Sequence, residues 1–208
     1  VDERFGQLML LLKRLNLSEH TLVWFLSDNG PQPGEAARSH PYRGLKWDAL
    51  EGGTRVPSIV SWPDRLPSGR TLKTLMAAID VLPTLVEACH LTLPSPSFPA
   101  LSSLDGVSQW SVMTGDLSGP LRHELLYWHG QKGLQALRQG RWKLFPKAMD
   151  AGLESLSQGA VLFDLEQDPG EEKNLALSHP ARVAAMLERY HQYEADLESR
   201  AIGLGKLP

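Results

Sequence analysis

The sequence predicts an α/β protein whose second half is a small antiparallel sheet covered by one helix. An amphipathic helix and a wholly apolar strand follow one another in the first 26 residues, which is half of a βαβ unit. After residue 105 the pattern changes to short strands joined by tight turns. The 208 residues are enough for one large domain or two small ones, and we divide them into domains at 1–104 and 105–208.

The first half begins with a predicted helix and strand. Four apolar residues recur at the helical spacing: Phe5, Leu8, Leu12 and Leu15. Asn16 is a suitable end for this helix. Residues 21–26 form a continuous apolar run, as expected for a strand buried on both faces of a parallel sheet. Residues 30–44 contain prolines and glycines that predict a loop, and residues 55–62 read as a second strand.

A second helix is predicted from Val81 to about His90, with Asp80 as its N-cap. Pro83 fits its first turn, where the missing N–H has no partner within the helix. The predicted buried stripe consists of Leu82, Leu85, Val86 and Cys89. Residues 91–105 carry three prolines among serines and are the best candidate for a linker.

The second half predicts four strands and a covering helix. The strands are Leu125–Trp128, Leu134–Arg138, Arg141–Phe145 and Ala160–Leu165. Gln139-Gly140 predicts a hairpin turn, and Asp168-Pro169-Gly170-Glu171 predicts a type II turn. The helix runs from about Pro180 to Ser199 with Ser178 as its cap. Its apolar face comprises Val183, Met186, Leu187, Tyr190 and Leu197.

Bulk properties exclude several classes of function. The formal net charge is −3, and no Lys/Arg-rich run could neutralise a nucleic-acid backbone. No apolar stretch approaches the roughly 20 residues that span a bilayer. One cysteine, Cys89, allows no internal disulfide, and Val1 begins no signal-peptide pattern, so the sequence does not show the compartment.

A carboxylate and a carboxamide follow the first predicted strand. Asp28 and Asn29 offer hard oxygen ligands, which suit Ca²⁺ or Mg²⁺ better than zinc. They lie at the carboxyl end of the strand, where ligands of open α/β sheets collect, and Gly30 lets the chain turn sharply behind them. Asp-Asn-Gly is equally good turn chemistry, so both interpretations remain open at this point.

Lys46 is the second candidate. It lies in a segment rich in glycine and tryptophan just before the second strand, where its ammonium could neutralise a sulfate or phosphate oxygen. The alternative is a solvated surface lysine, as most lysines are. Glu51-Gly52-Gly53 could simply set a turn, and Arg55 could simply pair with Glu51.

Taken together, the segments resemble the type I (arylsulfatase-like, formylglycine-dependent) sulfatases. Seven segments match in order, and they cover nearly the whole chain: Thr21–Gly30, Arg43–Lys46, Glu51–Pro57, Asp80–Leu85, Asp105–Ser108, Leu137–Leu144 and Leu162–Leu175. Each segment is moderately specific by itself, and their order makes the resemblance highly specific. It implies the C-terminal part of the alkaline-phosphatase-like sulfatase fold, with a small α+β subdomain.

The resemblance also implies functional roles. Asp28 and Asn29 take the positions of two Ca²⁺ ligands, with Mg²⁺ as an alternative, and Lys46 takes the position of the lysine that binds sulfate. The substrate would be a sulfated small molecule or a sulfated carbohydrate. Members of the family are commonly periplasmic, secreted or lysosomal.

One part of the family pattern is missing. The nucleophile of these enzymes is a formylglycine made from Cys or Ser in a Cys/Ser-x-Pro/Ala-x-Arg motif near the N-terminus, and we expect this motif to be absent here. We therefore expect the C-terminal portion of a sulfatase, inactive by itself. Two alternatives remain: a related phosphoester or phosphonate hydrolase, and a non-catalytic module that binds an anion or a protein.

Overall fold

The computed structural model describes residues 1–34, 38–92, 105–116, 119, 121–129 and 131–199. They form two compact units: Val1–Asp28 with Pro57–Arg122, and Asn29–Val56 with His123–Pro208. The segment 29–56 thus shares a unit with the second half of the chain. The predicted boundary between residues 104 and 105 divides the chain at a single point, whereas each compact unit combines two separate stretches of the chain. The boundary stays a prediction, because residues 93–104 of the predicted linker at 91–105 lie outside the described residues.

The described part contains five α-helices and six strands. In chain order they are α1 (Asp2–Arg14), β1 (Val23–Leu26), α2 (Glu51–Thr54), β2 (Ser58–Ser61), α3 (Val81–Ala88), α4 (Trp110–Thr114), β3 (Glu124–His129), β4 (Gly133–Gln139), β5 (Trp142–Phe145), β6 (Val161–Asp164) and α5 (Pro180–Ser199). Short 3-10 helices lie at Ala78–Asp80, Ala148–Ala151 and Ala176–Ser178. None of these helices is long and apolar enough to cross a membrane. The predicted mixed α/β class, with an antiparallel sheet and a helix, is confirmed.

Helix α1 forms where the periodicity predicts it, but it buries none of its residues. The ring of Phe5 meets the ring of Phe25 edge to face, with 5.5 Å between the centroids. Leu8 and Leu15, which belong to the predicted apolar face, are 47% and 56% exposed. The spacing of the leucines therefore identified the helix but overstated how much of it is packed.

Strand β1 pairs with β2 in the antiparallel sense, from Val23 opposite Ser61 to Leu26 opposite Ser58. The prediction of a parallel sheet with both faces of β1 covered is wrong for the part of the chain that is described. Three residues of β1 are half-buried and Leu26 is exposed. An apolar run marks a strand, but it carries no information about the direction of its neighbour.

Helix α3 begins at the predicted residue and ends at Ala88, slightly before the predicted end. Val86 is buried as predicted, whereas Leu82 is 49% exposed and Cys89 is also exposed. The predicted stripe is therefore wrong at two of its four positions. The helix instead buries Pro83 and Thr84, and the hydroxyl of Thr84 donates to the Asp80 carbonyl at 2.6 Å.

Asp80 precedes α3 as predicted, but its carboxylate makes no capping bond to the helix. It accepts hydrogen bonds from the backbone N–H groups of Ala77 (2.9 Å) and Val107 (2.7 Å) and from the Arg122 guanidinium (2.8 Å). A fully buried carboxylate needs such partners, which explains why it turns away from the helix.

Strands β3, β4, β5 and β6 form one antiparallel sheet in chain order, which confirms the prediction for the second half. The connection between β4 and β5 is Gly140-Arg141, one residue later than predicted, because Gln139 pairs with Trp142. Gly140 has the left-handed φ of 57° that such a tight turn requires.

Helix α5 covers one face of this sheet with the predicted apolar face. Met186 and Tyr190 are buried there, and Val183, Leu187 and Leu197 are partly buried. Their partners in the sheet are Leu134, Leu137, Leu144 and Leu162. Ser178 is not the residue that precedes the helix, since it lies in a 3-10 turn and the Val183 N–H donates to the His179 carbonyl.

The turn before Asn174 differs from its prediction. Glu171 donates its N–H to the Asp168 carbonyl at 3.2 Å, which closes the turn. A type II turn needs a positive φ at Gly170, but it is Glu171 that has the left-handed φ, at 57°. The turn type is therefore wrong, and the chain holds a glutamate in a conformation that favours glycine.

Candidate active site

Segment 29–56 carries two of the three predicted site residues into the unit that contains the four-stranded sheet. Asn29 and Lys46 are both half-buried. The N–H of Lys46 donates to the Pro31 carbonyl at 3.0 Å, which joins the two stretches of the segment. Asp28 is exposed and is the last residue of Val1–Asp28, which belongs to the other unit.

The Glu51-Gly52-Gly53 stretch forms the single helical turn α2 rather than a simple turn. The N–H of Gly30 donates to the Gly53 carbonyl at 2.8 Å, and the N–H of Gly52 donates to the Arg43 carbonyl at 2.7 Å. A β-carbon on Gly52 would lie 2.2 Å from the Gly44 carbonyl oxygen, and one on Gly30 would lie 1.9 Å from the Gly52 carbonyl oxygen. Only glycine fits at these positions, so the residues beside Asn29 and Lys46 are packed backbone to backbone.

The loop around Lys46 contains two residues with left-handed φ. They are Gly44 at 88° and Trp47 at 84°. A residue other than glycine pays roughly 1–2 kcal/mol for this conformation, so the surrounding contacts must hold Trp47 in place. Trp47 is 69% exposed, and the Lys46 ammonium lies 5.1 Å from its ring centroid. Asp48 stabilises the turn by accepting the Leu45 N–H at 2.8 Å.

A group of buried charged and polar side chains connects this segment to the sheet. We call it the buried ion cluster, and its members are Glu51, Tyr127, Arg138, Lys143 and Glu171. The Lys143 ammonium lies 2.8 Å from Glu171 Oε1 and 3.1 Å from Glu51 Oε1. The Tyr127 hydroxyl donates to Glu51 Oε1 at 3.0 Å, and Arg138 lies 3.5 Å from Glu51 Oε2. Glu51, Lys143 and Glu171 are at most 1% exposed.

The electrostatics of the cluster follow from burial and from the ion pairs. Burial alone raises the pKa of the Glu51 carboxyl, but the positive charges of Lys143 and Arg138 outweigh it and lower that pKa overall. Burial also raises the pKa of Glu171, and here Lys143 offsets only part of the effect. Burial lowers the pKa of Lys143, whereas Tyr127 and the two glutamates raise it and prevail. The lysine therefore stays protonated.

The cluster contacts the backbone of the segment directly. The N–H of Glu51 donates to Glu171 Oε2 at 2.6 Å, and the Arg43 guanidinium donates to the Glu171 carbonyl at 3.3 Å. Ala49 and Leu50, just before α2, are buried in the apolar core that contains Phe145. The stretch 43–51 is thus fixed to the sheet by ion pairs, hydrogen bonds and apolar packing.

Comparison with known proteins identifies the family. A family model described as Sulfatase matches residues 1–91. Bovine arylsulfatase A is 30% identical over 215 residues, covering 93% of this chain and 41% of that relative. An N-acetylgalactosamine-6-O-sulfatase from Bacteroides thetaiotaomicron is 28% identical over 207 residues, covering 90% of this chain and 39% of the relative. The chain belongs to the sulfatase family.

The chain spans about two fifths of the length of these sulfatases. A solved sulfatase from a Pseudoalteromonas species matches with a TM-score of 0.76 at 23% identity, over 95% of this chain and 41% of that one. At that identity the match shows the fold alone. The sulfatase model includes Asp28, Asn29 and Lys46, and the two relatives extend the similarity into the second half of the chain.

The sulfatase resemblance implies a divalent cation, and the donor chemistry of Asp28 and Asn29 fits part of its ligand set. Their side chains offer carboxylate and amide oxygens, which a hard cation prefers. Ca²⁺ takes about six to eight oxygens, so two residues supply only a minority of them. In the ranges that the structure describes, no three His, Cys, Asp or Glu side chains come together as a metal site.

The expectation that the nucleophile motif is absent is wrong for its residue types, because four pentapeptides of this chain read Ser-x-Pro-x-Arg. They are residues 39–43, 61–65, 118–122 and 178–182. All follow Asp28, whereas the resemblance to sulfatases implies a nucleophile motif nearer the N-terminus. Arg43 bonds the Glu171 carbonyl, Arg65 donates to the Ala88 carbonyl at 2.5 Å, and Arg182 lies over the Trp142 ring. These arginines hold the fold together, so residue types alone are a weak sign of the nucleophile.

Most of the buried ion cluster was not predicted from the sequence. For Glu51 the only expected partner was Arg55, and that contact exists at 3.8 Å. The closer partner, Lys143, is a lysine between two large apolar residues in the predicted strand at 141–145. A lysine inside such a strand was the available signal, because a buried ammonium requires a carboxylate partner.

Proposed function

We propose that the protein carrying this chain hydrolyses sulfate esters and that Lys46 binds the sulfate group. The observation that carries the proposal is the position of Lys46 within the sulfatase match, in a half-buried loop fixed between Gly44 and α2. An ammonium at a fixed position stabilises the charge that develops on the sulfate oxygens. The carboxylate of its neighbour Asp48 accepts the backbone N–H of Leu45 at 2.8 Å, which fixes the turn that carries Lys46.

We further propose that Asp28 and Asn29 contribute ligands to a Ca²⁺ site, with Mg²⁺ as the alternative. When bound, the cation would neutralise negative charge on the sulfate oxygens. The nucleophile of the family is a formylglycine, and its motif is not found before Asp28. We therefore propose that residues 1–208 alone do not turn over sulfate esters.

The proposed substrates are sulfated carbohydrates and sulfated small molecules. The two relatives support this range, since one is named for an amino sugar sulfate and the other for aryl sulfates. Segment 29–56 binds the sulfate group common to all of them, so it gives no preference among the alcohols.

A comparison of two esters tests the reaction. The intact protein is assayed with 4-nitrophenyl sulfate and 4-nitrophenyl phosphate, with and without a chelator of Ca²⁺ and Mg²⁺. We expect turnover of the sulfate ester, lost with the chelator and restored by Ca²⁺ or Mg²⁺. Preferential turnover of the phosphate would overturn the proposal in favour of a phosphoester hydrolase. Turnover of neither ester would overturn it in favour of a binding module.

A further inference from the structure

We propose that Lys143 and Glu171 are positioning residues for the sulfate-binding segment. They lie in the C-terminal half, outside the candidate site, and they act on Lys46 through Glu51 and Arg43. This inference rests on the proposed function, because it assigns to the buried ion cluster a role in how that site binds sulfate.

The first step of the connection is electrostatic. Lys143 projects from β5, and its ammonium is shared between Glu171 Oε1 and Glu51 Oε1. Glu171 Oε2 accepts the backbone N–H of Glu51 at 2.6 Å, so one carboxylate bridges the lysine and the first residue of α2. A buried charged acceptor on a backbone donor fixes that peptide group strongly.

The second step is mechanical. Gly52, next to Glu51, donates to the Arg43 carbonyl at 2.7 Å, and Gly53 accepts from Gly30 at 2.8 Å. These backbones approach so closely that no side chain fits between them. A displacement of α2 therefore passes to the loop that presents Lys46 and to the residue after Asn29.

The composition of the cluster favours positioning over stability alone. Apolar side chains of similar volume often stabilise a core as well as a buried ion pair does, so buried charges are weak evidence for a stabilising role. Glu171 also holds a left-handed φ of 57° directly after a glycine. Strain at a residue other than glycine persists where the surrounding structure requires it, and it is concentrated at functional sites.

The test compares two substitutions of Glu171 in the intact protein. Glu171→Gln keeps an oxygen that can accept the Glu51 N–H, whereas Glu171→Met keeps the size but has no such acceptor. Both retain a β-carbon on the same left-handed backbone. Lys143→Met is the third variant. Glu124→Gln is the matched control, because it weakens a different ion pair of the same unit, between Glu124 and Arg189.

The readouts are kcat, KM and the Kd for inorganic sulfate, measured where each variant is folded. We expect Glu171→Met and Lys143→Met to raise KM and the sulfate Kd and to lower kcat/KM by about 10- to 100-fold, since a displacement of 1 Å has effects of this size. Glu171→Gln should stay within about threefold of the wild type, and Glu124→Gln should match the wild type. A lower kcat with unchanged KM and Kd would overturn the inference, since the segment would then bind sulfate as it does in the wild type.

Amide hydrogen exchange, which does not depend on catalytic activity, separates this inference from the proposed function. If the wild-type protein neither binds sulfate nor hydrolyses its esters, the proposed function fails. Hydrogen exchange at the amides of Gly30, Lys46 and Gly52 then decides the positioning role. Faster exchange in Glu171→Met than in Glu171→Gln and Glu124→Gln supports it, and equal exchange in all three variants overturns it.

Discussion

The Lys143 ammonium lies 2.8 Å from Glu171 Oε1, and neither side chain is exposed to solvent. Lys143 belongs to the C-terminal sheet. Glu171 accepts the backbone N–H of Glu51, which lies five residues after Lys46. The ion pair therefore joins two regions that are far apart in the sequence. Because Lys143 also lies 3.1 Å from Glu51 Oε1, these charges connect the sheet to the segment 29–56, which belongs to the same compact unit.

Lys143→Met should lower the free energy of unfolding by about 3–5 kcal/mol, because it leaves two buried carboxylates without their shared cation. Urea denaturation of the intact protein at neutral pH measures the change. Lys147→Met is the control: Lys147 is exposed, so its replacement should change stability by less than about 0.5 kcal/mol. Equal effects of the two substitutions would contradict the role of the buried ion cluster.

Tyr127→Phe should lower stability by roughly 1–2 kcal/mol, because it removes the hydroxyl that donates to Glu51 and leaves the ring in place. Burial, opposed by Lys143 and assisted by Glu51, raises the pKa of Tyr127 to about 12. Ultraviolet titration of wild type and variant should therefore give the same absorbance change up to about pH 11. If the wild type shows an absorbance change near pH 10 that the variant lacks, Tyr127 is not buried beside Glu51.

Glu124→Gln should alter the dependence of stability on pH. Burial tends to raise the pKa of Glu124, but hydrogen bonds from Arg189, Tyr193 and Gln139 outweigh it and lower the pKa from 4.5 to about 2. The lowered pKa means that this carboxylate contributes stability above pH 4.5 and loses the contribution as the pH falls toward 2.

Urea denaturation between pH 7 and pH 2 measures this contribution. The free energy of unfolding of the variant should be lower than that of the wild type by roughly 1–2 kcal/mol at pH 7, and this difference should shrink below pH 4.5. Glu154→Gln, at an exposed glutamate, is the control. A difference between Glu124→Gln and wild type that stays constant down to pH 2 would contradict the assignment.

Gly52→Ala should destabilise the protein by about 1–3 kcal/mol, because its β-carbon would lie 2.2 Å from the Gly44 carbonyl oxygen. Gly6→Ala provides the opposite case. Gly6 lies within α1 with nothing within 4 Å of the added carbon, so alanine should stabilise by about 0.5–1 kcal/mol. Thermal unfolding measures both, and a tolerated alanine at residue 52 would contradict the close backbone packing of α2.

The sequence predicted the local elements well. The four strands of the sheet and the apolar face of α5 are found close to their predicted bounds. The alternation of apolar and polar residues in strands and the spacing of apolar residues in helices depend on neighbours along the chain, so both can be recognised without the structure. Only the resemblance to sulfatases distinguishes Asp28, Asn29 and Lys46 from turn and surface residues, and their assignment to the site stays a prediction.

Contacts between residues far apart in the sequence could not be predicted. Nothing in the sequence shows that β1 pairs antiparallel to β2, or that Glu51 meets a lysine 92 positions later. Leu82 and Cys89 satisfy the helical spacing of α3 but face solvent, because the elements that pack on the helix select which side is covered. Which residues contact one another depends on the fold of the whole chain, whereas the formation of a helix or a strand depends mainly on the local sequence pattern.

Lys46→Ala in the intact protein tests most directly whether Lys46 binds the sulfate group. The measurement is kcat/KM for 4-nitrophenyl sulfate, with Lys147→Ala as the control at an exposed lysine of the same unit. We predict a loss of about 100-fold or more for Lys46→Ala, because a fixed positive charge on the sulfate oxygens is removed. The control should keep the wild-type value. An unchanged kcat/KM in Lys46→Ala would contradict the account.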